Sequence, residues 1–161
     1  MQNKSVATIF KAAAQLAMAC GVLIVGSPAW ADDEAKCTNK TLQGDYGFRI
    51  EGVILTLPGG AIVPPGGLPL RGVAMSHFDG KGQMTQVDHI VANGVPPPVP
   101  WAAGSGPYTV NPNCTGTMTI NIPGSPFSPV TLHFVVVKNG KEIRTVVETG
   151  SATTSIGVKI D

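Results

Sequence analysis

Charged side chains are scarce in this chain of 161 residues: Asp, Glu, Lys and Arg make up 13%, and the formal net charge is +1. An ordinary globular domain carries about twice that share, and a nucleic-acid binder or a protein held to an anionic membrane concentrates Lys and Arg on one face. No such patch is encoded. Helical periodicity is missing as well: beyond the amino terminus, no window repeats apolar residues at the spacing of a helix face. Catalytic signatures are absent too. There is no Gly-x-Ser-x-Gly, no phosphate-binding Gly-rich loop before a helix, and no local spacing of His and Cys that suits a metal. What the chain has in quantity is glycine, 20 residues, and proline, 14. Between them lie short runs of alternating apolar and polar residues, which is the pattern of strands joined by turns.

The only long apolar run lies at the amino terminus. Lys4 and Lys11 precede Ala12 to Gly26, and Ser27-Pro28 leads into Ala29-Trp30-Ala31. This order of charged, apolar and small-x-small segments predicts a secretory signal peptide over 1–31, cleaved after Ala31. The run is too short for a stable membrane span. Residues 32–161 then form a single domain, exported to the periplasm or beyond, with nine basic against ten acidic side chains. Cys20 leaves with the leader. Cys37 and Cys114 remain, and in an exported chain they are most simply a disulfide.

The clearest local signal is Asn139-Gly140, between Val130 and Glu148. It predicts a two-residue type I′ hairpin turn, because both central positions need positive φ. That fixes a register: Lys138 opposite Lys141, Val136 opposite Ile143, Phe134 opposite Thr145 and Leu132 opposite Val147 on one face. Val137 with Glu142, Val135 with Arg144, His133 with Val146 and Thr131 with Glu148 fall on the other. Asp79-Gly80-Lys81-Gly82 marks a second hairpin, and Pro112-Asn113 a third turn. Tyr46, Phe48, Ile50 and Ile54 alternate with Asp45, Arg49 and Glu51, and Gly44, Gly47 and Gly52 suggest bulges or bends in that strand. Two Pro/Gly stretches, 57–69 and 95–107, read as long loops, the second holding Trp101.

The strands expected are about 44–55, 70–78, 83–92, 106–111, 115–122, 130–138, 141–149 and 153–160. Eight antiparallel strands joined mainly by hairpins suit a single closed up-and-down β-barrel, with a β-sandwich as the alternative. The apolar face belongs inside, so the lumen candidates are Tyr46, Phe48, Ile50, Met118, Ile120, Phe134, Val136, Ile143 and Val147, with Trp101 as a lid or binding platform at the mouth. Were the mixed face inward instead, Arg49, Glu51, His133 and Arg144 would line a polar lumen. Burying five or six large apolar side chains at about 1.5–3 kcal/mol each favours the first arrangement. His77, His89 and His133 fall on three strands, and His77 shares a face with Asp79. Glu51, Asp88, Glu142 and Glu148 read mainly as solvated surface. Asn39-Lys40-Thr41 and Asn113-Cys114-Thr115 match the glycosylation pattern.

Leu42-x-Gly44-x-Tyr46-Gly47-Phe48, Phe78-Asp79-Gly80-Lys81-Gly82 and Gly106-x-Tyr108-Thr109-Val110-Asn111-Pro112-Asn113-Cys114-Thr115-Gly116-Thr117 together resemble a group of small exported bacterial proteins of unassigned activity. Their architecture is similar to the calycin-type barrels, which include lipocalins and allene oxide cyclase-like barrels. The lipocalin Gly-x-Trp mark is absent; Gly44-x-Tyr46 stands nearest to it. The resemblance implies a barrel able to hold an apolar ligand and assigns no catalytic residue. The leading expectation is therefore a non-enzymatic exported barrel that binds a small apolar molecule in its lumen or simply packs that lumen with its own side chains, with no cofactor, no metal and no nucleic-acid partner. The alternatives are a cyclase-like enzyme acting inside the barrel and an envelope or extracellular interaction protein that uses the Trp101 loop.

Overall fold

A computed structural model describes residues 36–160; the expected leader, 1–31, and its cleavage site lie outside the described residues. Eight strands run in chain order: β1 (Gly44–Ile54), β2 (Leu68–Phe78), β3 (Gln83–Ala92), β4 (Ala102–Val110), β5 (Thr115–Ile120), β6 (Val130–Val137), β7 (Glu142–Val147) and β8 (Ser151–Lys159). Each pairs antiparallel with the next, and β8 returns to β1, closing the barrel. Closure leaves no unpaired edge, which is how a chain so rich in β-formers avoids templating its own aggregation.

The β6–β7 hairpin has the expected register, with Val136 opposite Ile143, Phe134 opposite Thr145 and Leu132 opposite Val147. Asn139 and Gly140 take φ of 55° and 83°, and the Lys141 N–H donates to the Lys138 carbonyl, as a type I′ turn requires. Lys138 also has positive φ, 53°, so regular pairing stops one step earlier, at Val137 and Glu142.

Two expectations need correction. β4 begins at Ala102 rather than 106, because Ala102, Gly104 and Gly106 supply an inward face too small to register as apolar alternation. At Gly106 an added Cβ would stand 1.9 Å from the Thr119 carbonyl oxygen, so only glycine allows β4 and β5 to approach there. β1, in turn, has no bulge at its glycines: it pairs continuously with β2 from Gly44 to Ile54. Inward glycines serve packing instead. The Phe48 ring lies over Gly157 and the Phe134 ring over Gly116, each where a Cβ would fall within 2.5 Å of ring carbon.

One end of the barrel is plugged. A 3₁₀ turn, Asn39–Leu42, drives Leu42 to complete burial beneath the strands. Tyr46, Phe78 and Tyr108 stack edge to face beside it, with ring centroids 5.3 and 5.1 Å apart. The Tyr46 hydroxyl donates to the Gly140 carbonyl. Asn39 accepts from the Val110 N–H at 2.8 Å through its side chain and from the Tyr108 hydroxyl at 3.1 Å through its carbonyl. Cys37 and Cys114 form the expected disulfide across this end, with Cα atoms 5.0 Å apart and a sequence separation of 77.

Candidate functional site

The lumen candidates come together. Tyr46, Phe48 and Ile50 from β1, Met118 and Ile120 from β5, Phe134 and Val136 from β6, and Ile143 and Val147 from β7 all belong to one inward cluster. Seven are buried, while Ile50 and Val147 are partly covered. They pack against one another and against Leu42, Phe78, Met84, Tyr108 and Leu132. The seven buried ones are shielded from water by these neighbours.

Polar groups also face inward, of which sequence alternation placed only Thr145 there. Ser76, Asp88, Thr145, Thr153 and Ser155 are buried. The Gln86 Nε2 donates to Asp88 Oδ2 at 2.7 Å, and the Thr145 and Ser155 hydroxyls lie 2.7 Å apart. The Thr153 hydroxyl has no hydrogen-bond partner. Burial pushes the Asp88 carboxyl above its ordinary value, opposed by the Gln86 hydrogen bond and by His89. Burial first, then Tyr108, pushes the Tyr46 phenol up to about 12. A buried carboxyl next to an amide is an anchor for a polar group. It is half of an acid–base pair at most, since the three histidines lie on the outer wall.

Each histidine has a separate structural partner. His77 Nδ1 is 2.7 Å from Asp45 Oδ1, not beside Asp79, whose carboxylate instead accepts from the N–H groups of Lys81, Gly82 and Gln83. Those backbone bonds, from Gln83 and Lys81 above all, hold the Asp79 carboxyl below its usual range. His89 Nδ1 donates to the Pro100 carbonyl at 2.7 Å, and His133 sits 3.8 Å from Glu148. Among the described residues no three His, Cys, Asp or Glu side chains gather as metal ligands.

The mixed face points outward. Arg49 lies 3.3 Å and Arg71 3.8 Å from Glu51. Glu142 is covered by the flexible Lys138 and Arg144 side chains rather than by the core, and its bonds to them hold its carboxyl below the ordinary range. Of the four carboxylates expected mainly on the solvated surface, Glu51 and Glu148 lie there, while Asp88 is buried on the inward face and Glu142 beneath Lys138 and Arg144.

Trp101 is not in the lumen. Because β4 starts at Ala102, the loop ends on the outer wall, where the indole stands edge-on to His89 at 6.1 Å between ring centroids and remains 55% exposed. Its surroundings define a different site. In an up-and-down barrel every second connection falls at the same end, and the end opposite the plug carries loops 55–67, 93–101 and 121–129 together with the short turn 148–150. Exposed on those three long loops are Leu55, Ile62, Val95, Val99, Trp101 and Phe127. None of the three contains Asp, Glu, Lys, Arg or His.

Compared with protein-family models, curated proteins and solved structures, the chain matches none. The barrel therefore rests on its own strand registers, and any function on the geometry of its own residues. The signal for the loop site was present in the sequence as runs of Pro, Gly and apolar residues without charge. Its collection at one end of the molecule follows only from barrel closure and from the parity of the connections.

Proposed function

We propose that the protein is an exported, non-enzymatic barrel that works through its surface, as an envelope or extracellular interaction protein whose contact region is the loop end with Trp101. The observation that supports this reading is that six exposed large apolar side chains, Leu55, Ile62, Val95, Val99, Trp101 and Phe127, lie on the loops of one end, beside others such as Val73, Met75, Val135 and Val158 that are spread over the outer wall. Ile62 is 94% exposed, and exposed apolar side chains gathered on one end of a domain are a feature of contact surfaces.

A second reading has one observation in its favour. The Gln86–Asp88 pair and the unpartnered Thr153 hydroxyl are inward polar groups of the kind that orient a small molecule in a barrel. Native mass spectrometry of the processed protein from its exported fraction, compared with the same sample denatured, separates the two. A bare chain in both spectra is the outcome expected of a surface protein. An added mass of a few hundred daltons lost on denaturation would replace that reading with a ligand-holding barrel.

A further inference from the structure

We propose that the loop end docks on the surface of an uncharged lipid bilayer, an inference that rests on the surface reading above and names its partner. The first argument is placement. Loops 55–67, 93–101 and 121–129 leave the same end of a closed barrel, so a planar partner meets all of them at once, whereas a peptide or small molecule would need a groove between them. The second is charge. The three long loops contain no ionisable side chain, and the short turn beside them carries Glu148 alone, 3.8 Å from His133, while a protein interface is usually rimmed by charged and polar groups and an anionic membrane is met by Lys and Arg.

The third argument concerns the backbone. A loop entering an apolar medium is penalised for every N–H that loses water without gaining a partner. Proline has no N–H, and ten of the chain's fourteen prolines lie in these three loops. Several remaining donors are already paired within the chain: Leu55 and Thr56 donate to the Gly150 carbonyl, Gly67 to Pro64 and Ser128 to Ser125. The side chains then supply contact: Ile62 as the most exposed tip, and Trp101 as the amphipathic ring that favours the bilayer interface. The wall sets the depth. Glu51 and Arg71, paired across β1 and β2 a few residues from the rim, hold contact to the loops.

The test uses the processed protein, its cleavage confirmed by mass, with large unilamellar vesicles of phosphatidylcholine alone. Trp30 leaves with the leader, so Trp101 is the fluorescent reporter. The expected result is co-flotation that persists in high salt, with a blue shift of Trp emission and quenching by brominated acyl chains. Ile62→Asp and Trp101→Ala should each weaken partitioning about tenfold or more, the scale of losing one buried apolar side chain, with no change in melting midpoint. Flotation unaffected by both substitutions would overturn the proposal, as would binding that needs phosphatidylglycerol and disappears in salt. Absence of flotation also overturns it, and native mass spectrometry then tells which claim failed. A bare chain sinks the lipid partner alone; a few hundred daltons released on denaturation sink the surface reading with it. A concentration-dependent dimer abolished by Ile62→Asp, without flotation, would assign the same end to a second copy of the chain.

Discussion

The two ends of the barrel are built on opposite principles. At the plugged end the connections are four residues each, 79–82, 111–114 and 138–141, and their polar groups are bound inside the chain: Asp79 caps its own turn, Asn39 ties β4, and the disulfide anchors the amino-terminal segment. At the loop end the long connections run to 13, 9 and 9 residues and turn apolar side chains to the outside. The cross-links that tie the chain to itself are thus gathered at the plugged end.

The largest expected effect is at the plug. Replacing Cys37 and Cys114 together by serine should cost about 4 kcal/mol, the chain-entropy value for a closed loop of 77 residues, read as a lower urea midpoint. A loss under about 1 kcal/mol would show that the 3₁₀ turn and Asn39 hold that end without the bond.

The next test makes one substitution at both ends. Gly140 and Gly60 have similar positive φ, 83° and 77°. An added Cβ at Gly140 would meet the Thr41 carbonyl oxygen at 2.3 Å, whereas at Gly60 nothing lies within 4 Å. Gly140→Ala should therefore cost about 3 kcal/mol, strain plus collision, and Gly60→Ala about 1 kcal/mol of strain alone. Equal costs would dissolve the contrast.

Two buried groups should divide the pH profile. Burial raises the Asp88 carboxyl above its ordinary 3.8, so the folded state keeps that proton where the unfolded chain has released it. The contribution is full below pH 3.8 and is lost as pH rises through the folded value. Asp88→Asn should therefore melt higher than the parent at pH 7, with the gap closing in acid; a gap that widens in acid would reverse the sign. At the plug, the Tyr46 phenol is pushed up to about 12 from 10.0. Its contribution is full below pH 10 and is lost as pH rises through about 12, so Tyr46→Phe should flatten the alkaline fall in melting midpoint. The smallest effect belongs to the loop end: deleting residues 59–62 should shift stability by less than about 1 kcal/mol, because loop-closure entropy varies slowly with length.

These differences explain what could be read from sequence. The β6–β7 register was legible because Asn-Gly fixes a turn and Phe134, Val136 and Ile143 contrast with their neighbours. The lumen residues followed from the same alternation. The first half of β4 was hidden because Ala102 to Gly106 offer no hydrophobic contrast, though their smallness is what lets the strands approach. β8 obscured its faces for a related reason: Thr153, Ser155 and Gly157 point inward, where Phe48 already fills the space, while Ile156 and Val158 point out. The inward carboxyl of Asp88 and the outward position of Trp101 depend on where neighbouring strands begin and end, which no local pattern encodes.

The parity that gathers the long loops also governs orientation. β1 enters and β8 leaves at the plugged end, where Tyr46 pairs with Lys159, so residues 36 and 160 both emerge on the side away from Trp101. A tether attached at residue 36 or residue 160, or a support coupled through one, would hold every molecule the same way up and present a uniform field of the long loops to the medium.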